Sequence, residues 1–585
     1  MTPSITNGES VLAIDLGTAF TRAFLFDVVD GSYHFIASGV APSTTSAPVH
    51  NVGGGVQQAL RSLQEITGRA LMDAHSQLIL PAHPDGSGID RLVITYSAGP
   101  ELRMIIAGLL PEGSLGSAHR LAATCYGNVV DAIGLGDRRK PELQVDAIVR
   151  ARPDLILLAG GTDQGASRSI IKLVEVVLLA CRALPTDRRP QVLYAGNQAL
   201  ATKIKEALER WTTVHIAPNI RPTLDREHTG AAFNILSGAA AAIRYQKVGG
   251  MQKLADISGK LPIPSAHAFG RIVRFLSKVY DPAKGVLGVD LGANSTTIAV
   301  STAGELSLDV MPWGMGRGLA EIGNTSHLEE FIRWLPLDIP KAVVRDYLWQ
   351  RSLYPTALPL DGEALAIEQA AARYLLRLAF QQSRAHRIQA EMTFEPILAS
   401  GAFLGKAPHP WQSLLMLLDG LQPAGITTLI LDQNGLTASL GAIAEINSLL
   451  PVQVLESTAF VNLGTVICPI SAARPGTKIM RVRLQYETGE EIACDVSQGS
   501  LVALPLKTHQ TAQVHLQALR RVELEPRSKG GLGSFMVTGG ACGVVIDARG
   551  RPLRLPADPG KRCELHQQWE NALSANLAHK LHPWK

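Results

Sequence analysis

The chain has 585 residues, 46% of them hydrophobic and 18% charged, with a formal net charge of +4. That length calls for roughly three to five domains or subdomains, and the composition excludes a long disordered tract. Dispersed Lys and Arg exclude a nucleic-acid footprint, no charge-free run of about 20 residues is present to cross a bilayer, and six scattered cysteines exclude a zinc or disulfide framework. With no basic-then-apolar leader at the start, these features predict a protein of the reducing cytoplasm.

In chain order, the first elements form a motif that occurs twice. Val11-Leu12-Ala13-Ile14-Asp15-Leu16-Gly17-Thr18 is an apolar run ending in an acidic, Gly-containing turn, and Arg22 to Phe26 and Tyr33 to Ser38 follow as strands. Up to about residue 285, strand-like runs then alternate with helical ones. The strands are Leu92 to Thr95, Asp154 to Ala159, Gln191 to Ala195 and Thr213 to Ala217; the helices include Ile170 to Arg182 and Ala199 to Trp211. Short apolar strands separated by helices, with glycines at the strand ends, predict a mostly parallel sheet with ligand sites at that edge.

The motif returns as Val286-Leu287-Gly288-Val289-Asp290-Leu291-Gly292-Ala293, followed by Thr297 to Val300 and Glu305 to Val310. A helical stretch through Tyr347 to Leu378 comes next, then strands at Ile397 to Gly401 and Thr428 to Asp432 and a helix near Ser439 to Ala444. After about residue 455 the pattern changes to short alternating strands at Lys478 to Leu484, Glu491 to Val496, Ala512 to Ala518 and Gly543 to Asp547, with a last helix at Leu565 to Leu581. The predicted division is a first lobe with an inserted α/β region over 1–285, a second lobe over 286–455, and a C-terminal antiparallel β domain over 456–585.

The chemistry sits at the two acidic tips. A carboxylate in such a turn holds Mg²⁺ through water, while the backbone N–H groups and hydroxyls of the turn meet phosphate oxygens. Gly17 and Gly292 let the backbone approach the anion because no Cβ intervenes. Thr18, Thr21, Ser295 and Thr296 are the candidate phosphate contacts, and Asp15 and Asp290 the candidate metal-holding and catalytic acids. Gly160-Gly161-Thr162-Asp163 ends a buried strand and has two readings: a phosphate or Mg²⁺ contact in which Asp163 orients an attacking water, or a plain helix N-cap. Ser400-Gly401 is a small-residue turn against which a nucleotide base has room to lie, or an ordinary strand-to-helix turn. Two small-residue helices, Ser237 to Ala242 and Gly441 to Ala444, suit either hinge segments or tight packing. GxxxxGK[ST], GxSxG and HExxH motifs are absent from the sequence.

On these motifs the chain resembles the actin, Hsp70 and sugar-kinase superfamily of ATPases, with Asp15 to Thr18 similar to its first phosphate motif, Asp290 to Gly292 to its second, and Ile397 to Leu404 to its adenosine motif. That resemblance implies duplicated actin-like (ribonuclease H-like) α/β domains. The combination of Ile14 to Thr18, Ser97-Ala98-Gly99, Leu158 to Asp163, Pro312 to Gly318, Arg333 to Pro336, Ile367 to Ala370, Gly539 to Ala541 and Ile546 to Pro552 more specifically resembles the MutL-like accessory proteins of glutamate (methylaspartate) mutase. The resemblance implies ATP and Mg²⁺ as cofactors, slow hydrolysis, and an accessory or reactivating role toward an adenosylcobalamin-dependent mutase. The chain departs from the family pattern in its second loop, in Ser400-Gly401, and in Arg22 where Lys is usual; these changes spare phosphate binding more than rapid hydrolysis. A small-molecule kinase of the same fold and a catalytically inactive scaffold remain the alternatives.

Overall fold

The structure, a computed structural model, describes residues 8–324, 326–390, 392–524 and 533–578. Strands β1 (Val11–Leu16), β2 (Phe20–Val29), β3 (Ser32–Pro42), β4 (Arg91–Tyr96) and β10 (Ile263–Pro264) form one sheet in the order β10-β4-β1-β2-β3. β1 pairs antiparallel with β2 and parallel with β4. Strands β11 (Gly285–Leu291), β12 (Thr296–Thr302), β13 (Glu305–Met311), β14 (Phe394–Ser400) and β15 (Gly425–Leu431) repeat this plan as β13-β12-β11-β14-β15, with the same hairpin and parallel neighbour. The strand order shows that the molecule is a duplicated actin-like, ribonuclease H-like protein.

An all-parallel sheet is inserted between β4 and β10. It comprises β5 (Leu102–Ala107), β6 (Gly127–Ile133), β7 (Leu155–Leu158), β8 (Gln191–Tyr194) and β9 (Val214–Ile216) in the order β6-β5-β7-β8-β9. Sequence patterning finds β7 to β9 but misses β5 and β6. The expected boundary at residue 455 is followed by strands that pair with the second lobe's sheet. β16 (Val461–Cys468), β19 (Leu501–Leu504) and β22 (Val544–Asp547) extend the second-lobe sheet to eight strands. Only β17 (Lys478–Tyr486), β18 (Glu491–Ser497), β20 (Thr511–Ala518) and β21 (Ser534–Thr538) make a separate antiparallel sheet. The apolar faces of β16 and β22 find their partner in the preceding lobe, so no independent domain closes at 456. The last helix runs Pro559–Ala578; the end of the predicted helix, 579–581, lies outside the described residues.

Alternation along β1 assigns each side chain to one of two cores. Val11 and Ala13 join a core between the lobes, whereas Leu12, Ile14 and Leu16 pack toward helix Gly53–Thr67. The interlobe core is built around helices Ser265–Val279 and Thr437–Ile443. The first leaves lobe one and packs on β11, β12 and β13; the second leaves lobe two and packs on β1 and β4. They cross where Gly441 meets Ala268, so closely that a Cβ on Gly441 would lie 1.9 Å from the Ala268 carbonyl oxygen. Of the two small-residue helices singled out in the sequence, only Gly441 to Ala444 belongs to this crossing. Helix Gly230–Lys247, which carries Ser237 to Ala242, instead joins the inserted sheet's core to that of lobe one.

The Ile546 to Pro552 landmark is a buried ionic knot. Arg549 donates to Asp419 (2.7 Å) and to both oxygens of Asp547 (2.9 and 2.8 Å), and Arg551 donates to Asp547 (2.9 Å). Arg373 approaches Asp419 at 3.2 Å, and the Arg549 guanidinium lies 4.5 Å from the Trp569 ring centroid. Asp419 thus ties helices Gly362–Gln382 and Pro410–Leu421 to the C-terminal segment. Asp419→Ala leaves two buried guanidinium groups short of a carboxylate, and the expected loss of stability is about 3–5 kcal/mol, measurable by urea unfolding. A loss below about 1 kcal/mol would show that the knot contributes nothing to folding.

Candidate functional site

The two acidic turns have the same local geometry. Gly17 N donates to Phe20 O at 3.0 Å, and Gly292 N donates to Ser295 O at 3.0 Å. A Cβ on either glycine would lie within 3 Å of that oxygen, at 2.6 Å for Gly17 and 2.9 Å for Gly292, so glycine is what lets the hairpin close. Strand register pairs Asp15 with Arg22 and Thr95, and Asp290 with Thr297 and Ser400. Each acid therefore stands at the carboxyl end of its sheet beside a hydroxyl from the neighbouring parallel strand.

Both tips line one cleft of about 540 Å³ between the lobes. Asp15 Oδ1 accepts from Thr95 Oγ1 (2.8 Å) and from Ser265 Oγ (3.0 Å) on the crossing helix. Ser400 Oγ donates to Asp432 Oδ2 at 3.2 Å. Asp432 also accepts from the backbone N–H groups of Gly435, Leu436 and Thr437, which caps the start of helix Thr437–Ile443. Burial first, then the charge of Asp15, pushes the Asp290 carboxyl up to about 7; Asp432 adds to the rise, while Arg22 and Ser400 oppose it. Two carboxylates that repel each other across the cleft are the acidic side of the site, which a bound cation would relieve.

The Trp313 to Gly318 segment, within the Pro312 to Gly318 motif, holds the second turn from behind. Met315 N donates to Gly292 O (2.9 Å) and Gly316 N to Ala293 O (2.7 Å). Thr296 Oγ1 donates to Trp313 O, and Trp313 Nε1 donates to Gln382 Oε1 (2.8 Å). At Gly314 a Cβ would meet Ala293 O at 2.5 Å. On the first turn, Ser97 N and Ala98 N both donate to Leu16 O, at 3.0 and 2.9 Å, so the Ser97-Ala98-Gly99 landmark buttresses that loop.

Of the residues singled out in the sequence, Asp15, Gly17, Thr18, Asp290, Gly292, Ser295, Ser400 and Gly401 line this cleft. Thr21 and Thr296 do not: both are fully buried, at strand positions whose side chains turn away from it. Their neighbours Arg22 and Thr297 line it instead, because side chains alternate along a strand. Gly160, Gly161, Thr162 and Asp163 lie at the end of β7 in the inserted sheet and are not among the cleft-lining residues. There Asp163 Oδ1 accepts from Gln198 N (3.2 Å) and Asn219 Nδ2 (2.9 Å), a loop-bracing role. Thr95, Ser265, Lys406, Tyr96 and Arg244 were not read from the sequence as site residues. Thr95, Tyr96 and Ser265 had at most their position at a strand end or helix start as a signal, and Lys406 and Arg244, at helix C-terminal ends, had none.

The donor set fits a hydrated divalent cation: two carboxylates with hydroxyls beside them. Among the described residues no group of three or more His, Cys, Asp or Glu gathers to encage a metal, so any ion here would complete its shell with water or phosphate. The paired turns, the glycines without Cβ and the guanidinium of Arg22 fit a polyphosphate. The cleft thiol Cys125 is pushed up to about 11 by burial and so stays protonated, which removes it as a nucleophile. Among the described residues no helix is long and apolar enough to cross a membrane.

A family model described as MutL protein matches residues 11–459. Protein MutL of Clostridium tetanomorphum is 25% identical over 237 residues, which are 40% of this chain and 48% of that protein. The chain thus spans about half the length of that curated relative. Among solved structures, nucleotide-free acetone carboxylase is 14% identical with a TM-score of 0.33, covering 84% of this chain and 81% of its own. Diol dehydratase-reactivating factor in nucleotide-free form is 10% identical with a TM-score of 0.28, covering 75% of this chain and 100% of its own. Both superpositions are loose; the fold assignment rests on the strand order itself.

Proposed function

The chain belongs to the MutL protein family, whose model spans residues 11–459, and from that premise we propose that it is an ATP- and Mg²⁺-binding accessory factor that hydrolyses ATP slowly. Its client in this reading is an adenosylcobalamin-dependent carbon-skeleton mutase, which it serves as a reactivating chaperone in the cytoplasm. The observation that carries the nucleotide reading is the meeting of two identically built acidic turns, Asp15 to Phe20 and Asp290 to Ser295, in one cleft.

In this reading Asp15 and Asp290 hold Mg²⁺ through water, and the ion when bound supplies the positive charge that neutralises the phosphates. The N–H groups and hydroxyls around Thr18 and Ser295 contact phosphate oxygens, Arg22 adds a fixed cation, and Gly401 leaves room for the nucleoside. At Gly401 φ is +120°, and a Cβ there would meet Leu291 O at 2.3 Å, so only glycine keeps that wall flat. Closure on the nucleotide moves the lobes about the crossing of helices Ser265–Val279 and Thr437–Ile443, and slow turnover lets that state outlast the handling of a partner.

Recovery of tagged protein from cells with ATP, ADP or no nucleotide in the wash tests the client assignment. The expected result is a mutase subunit retained in one nucleotide state and released in the other. Retention that ignores nucleotide, or capture without any mutase, rejects it. A kinase remains the second reading because Glu368 lines the cleft with its Oε2 unpartnered, while Oε1 accepts from Tyr347 and Arg351 at 2.7 Å each. Transfer of the terminal phosphate of ATP to a metabolite in a substrate screen, abolished in Glu368→Gln, would favour it.

A further inference from the structure

Arg244 is a buried cation without an acid. It is 5% exposed, lines the cleft, and makes no ion pair among the described residues. One nitrogen, Nη2, donates to Tyr126 O, while Nε has no hydrogen-bond partner. The guanidinium carbon lies 5.9 Å from the ring centroids of both Tyr96 and Tyr126, so two aromatic faces hold it in place. Tyr96 is 2% exposed, also lines the cleft, and its Oη lies beside the Arg244 guanidinium without a well-formed hydrogen bond.

The surroundings preserve this arrangement. Gly99, at φ +111°, packs along the arginine stem, where even a Cβ would make only ordinary contact with Arg244 Cδ at 3.6 Å. Thr124 and Ser237 line the same part of the cleft and add hydroxyls. Glu101, two residues from Gly99, is committed to Arg317 at 2.6 Å. Beneath it, His267 stacks on Phe233 at 3.8 Å and is held neutral by burial and by the charges of Arg271 and Arg244. An uncompensated guanidinium out of water is costly and would be better replaced by an apolar side chain unless something else supplies the negative charge.

We propose that Arg244, with Tyr96, anchors a second subsite of the cleft that takes an oxyanion. The planar fork of a guanidinium suits a carboxylate or a terminal phosphate equally, and the hydroxyl of Tyr96 donates to the same group. The phosphate source rests on the nucleotide reading above; the carboxylate source does not.

Isothermal titration of full-length wild type, Arg244→Met, Arg244→Lys and Tyr96→Phe separates the sources. If the oxyanion is the terminal phosphate, Arg244→Met weakens Mg-ATP by tenfold or more with Mg-ADP unchanged, Arg244→Lys falls between, and Tyr96→Phe loses several-fold. If it is a carboxylate, the ATP to ADP ratio is unchanged, and succinate binds wild type, with or without saturating Mg-ADP, but not Arg244→Met. In both cases the ligand-free Arg244→Met protein melts at or above wild type, because an unpaired buried charge has been removed. A wild-type protein that binds neither nucleotide overturns the function proposed above, yet succinate binding lost in Arg244→Met still supports the subsite. Unchanged binding of every probe in Arg244→Met overturns the subsite. A fall in its ligand-free melting temperature does so too, since the tyrosine clamp is then only structural.

Discussion

In Asp290→Asn, Mg²⁺-dependent nucleotide binding is expected to weaken by about 10- to 100-fold while the ligand-free protein stays folded. A hydrogen bond to a charged group contributes about 1.5–3 kcal/mol, and each 1.4 kcal/mol is about tenfold in affinity. The ligand-free variant should be no less stable than wild type, since the substitution removes a buried charge that Asp15 repels. The two effects therefore point in opposite directions, which a misfolding variant cannot imitate. The pH dependence follows the same group. Burial and Asp15 push its carboxyl up to about 7 in the folded protein, from 3.8 for an ordinary aspartate, so between those values the native state holds a proton that the unfolded chain has released. Ligand-free stability thus falls as pH rises from about 4 to 7, whereas affinity for Mg-nucleotide rises over the same interval and levels off above it. Titration calorimetry at several pH values should give a slope for wild type and a flat line for Asp290→Asn. Full affinity in the variant, or wild-type affinity indifferent to pH, would remove this acid from the site.

Gly441→Ala should disable the hinge. Its new Cβ would stand 1.9 Å from a backbone carbonyl oxygen of Ala268, and no flexible side chain is available to yield. The helices must separate, at a cost of about 1–3 kcal/mol for overpacking, and the pivot between lobes shifts with them. The expected outcome is a lower melting temperature, together with loss of the nucleotide-induced compaction that wild type should show in small-angle X-ray scattering. Wild-type compaction in this variant would show that the lobes close about some other axis.

The paired turns could be read from the sequence because their chemistry is local: an apolar strand, an acid, and a glycine that tolerates the approach of a backbone oxygen lie within a few residues. Where the structure places residues away from the cleft, the cause is physical too. Thr21 and Thr296 were expected at the phosphates, but each is one residue from the side chain that faces the cleft. A strand alternates faces, and the chain alone does not say which face looks inward. Gly160 to Asp163 has the composition of a strand-end ligand turn, and it does end a parallel strand, but in a different sheet from Asp15. Composition describes the turn without naming the sheet that carries it. The C-terminal region looked separate because its strands alternate like a self-contained antiparallel domain; β16, β19 and β22 were instead recruited by an exposed edge of lobe two.

By itself the sequence determined the duplication, the two acidic tips, the alternating α/β plan and the family, all of which are written in short contiguous patterns of hydrophobicity and turn residues. Only the tertiary structure decided that Ser265 reaches Asp15 across 250 positions, that Gly441 and Ala268 form the crossing, and that Arg244 lies between two tyrosines with no ion pair among the described residues. Those pairings depend on how separate sheets dock, a matter of packed shape and shared burial that no local run of residues encodes.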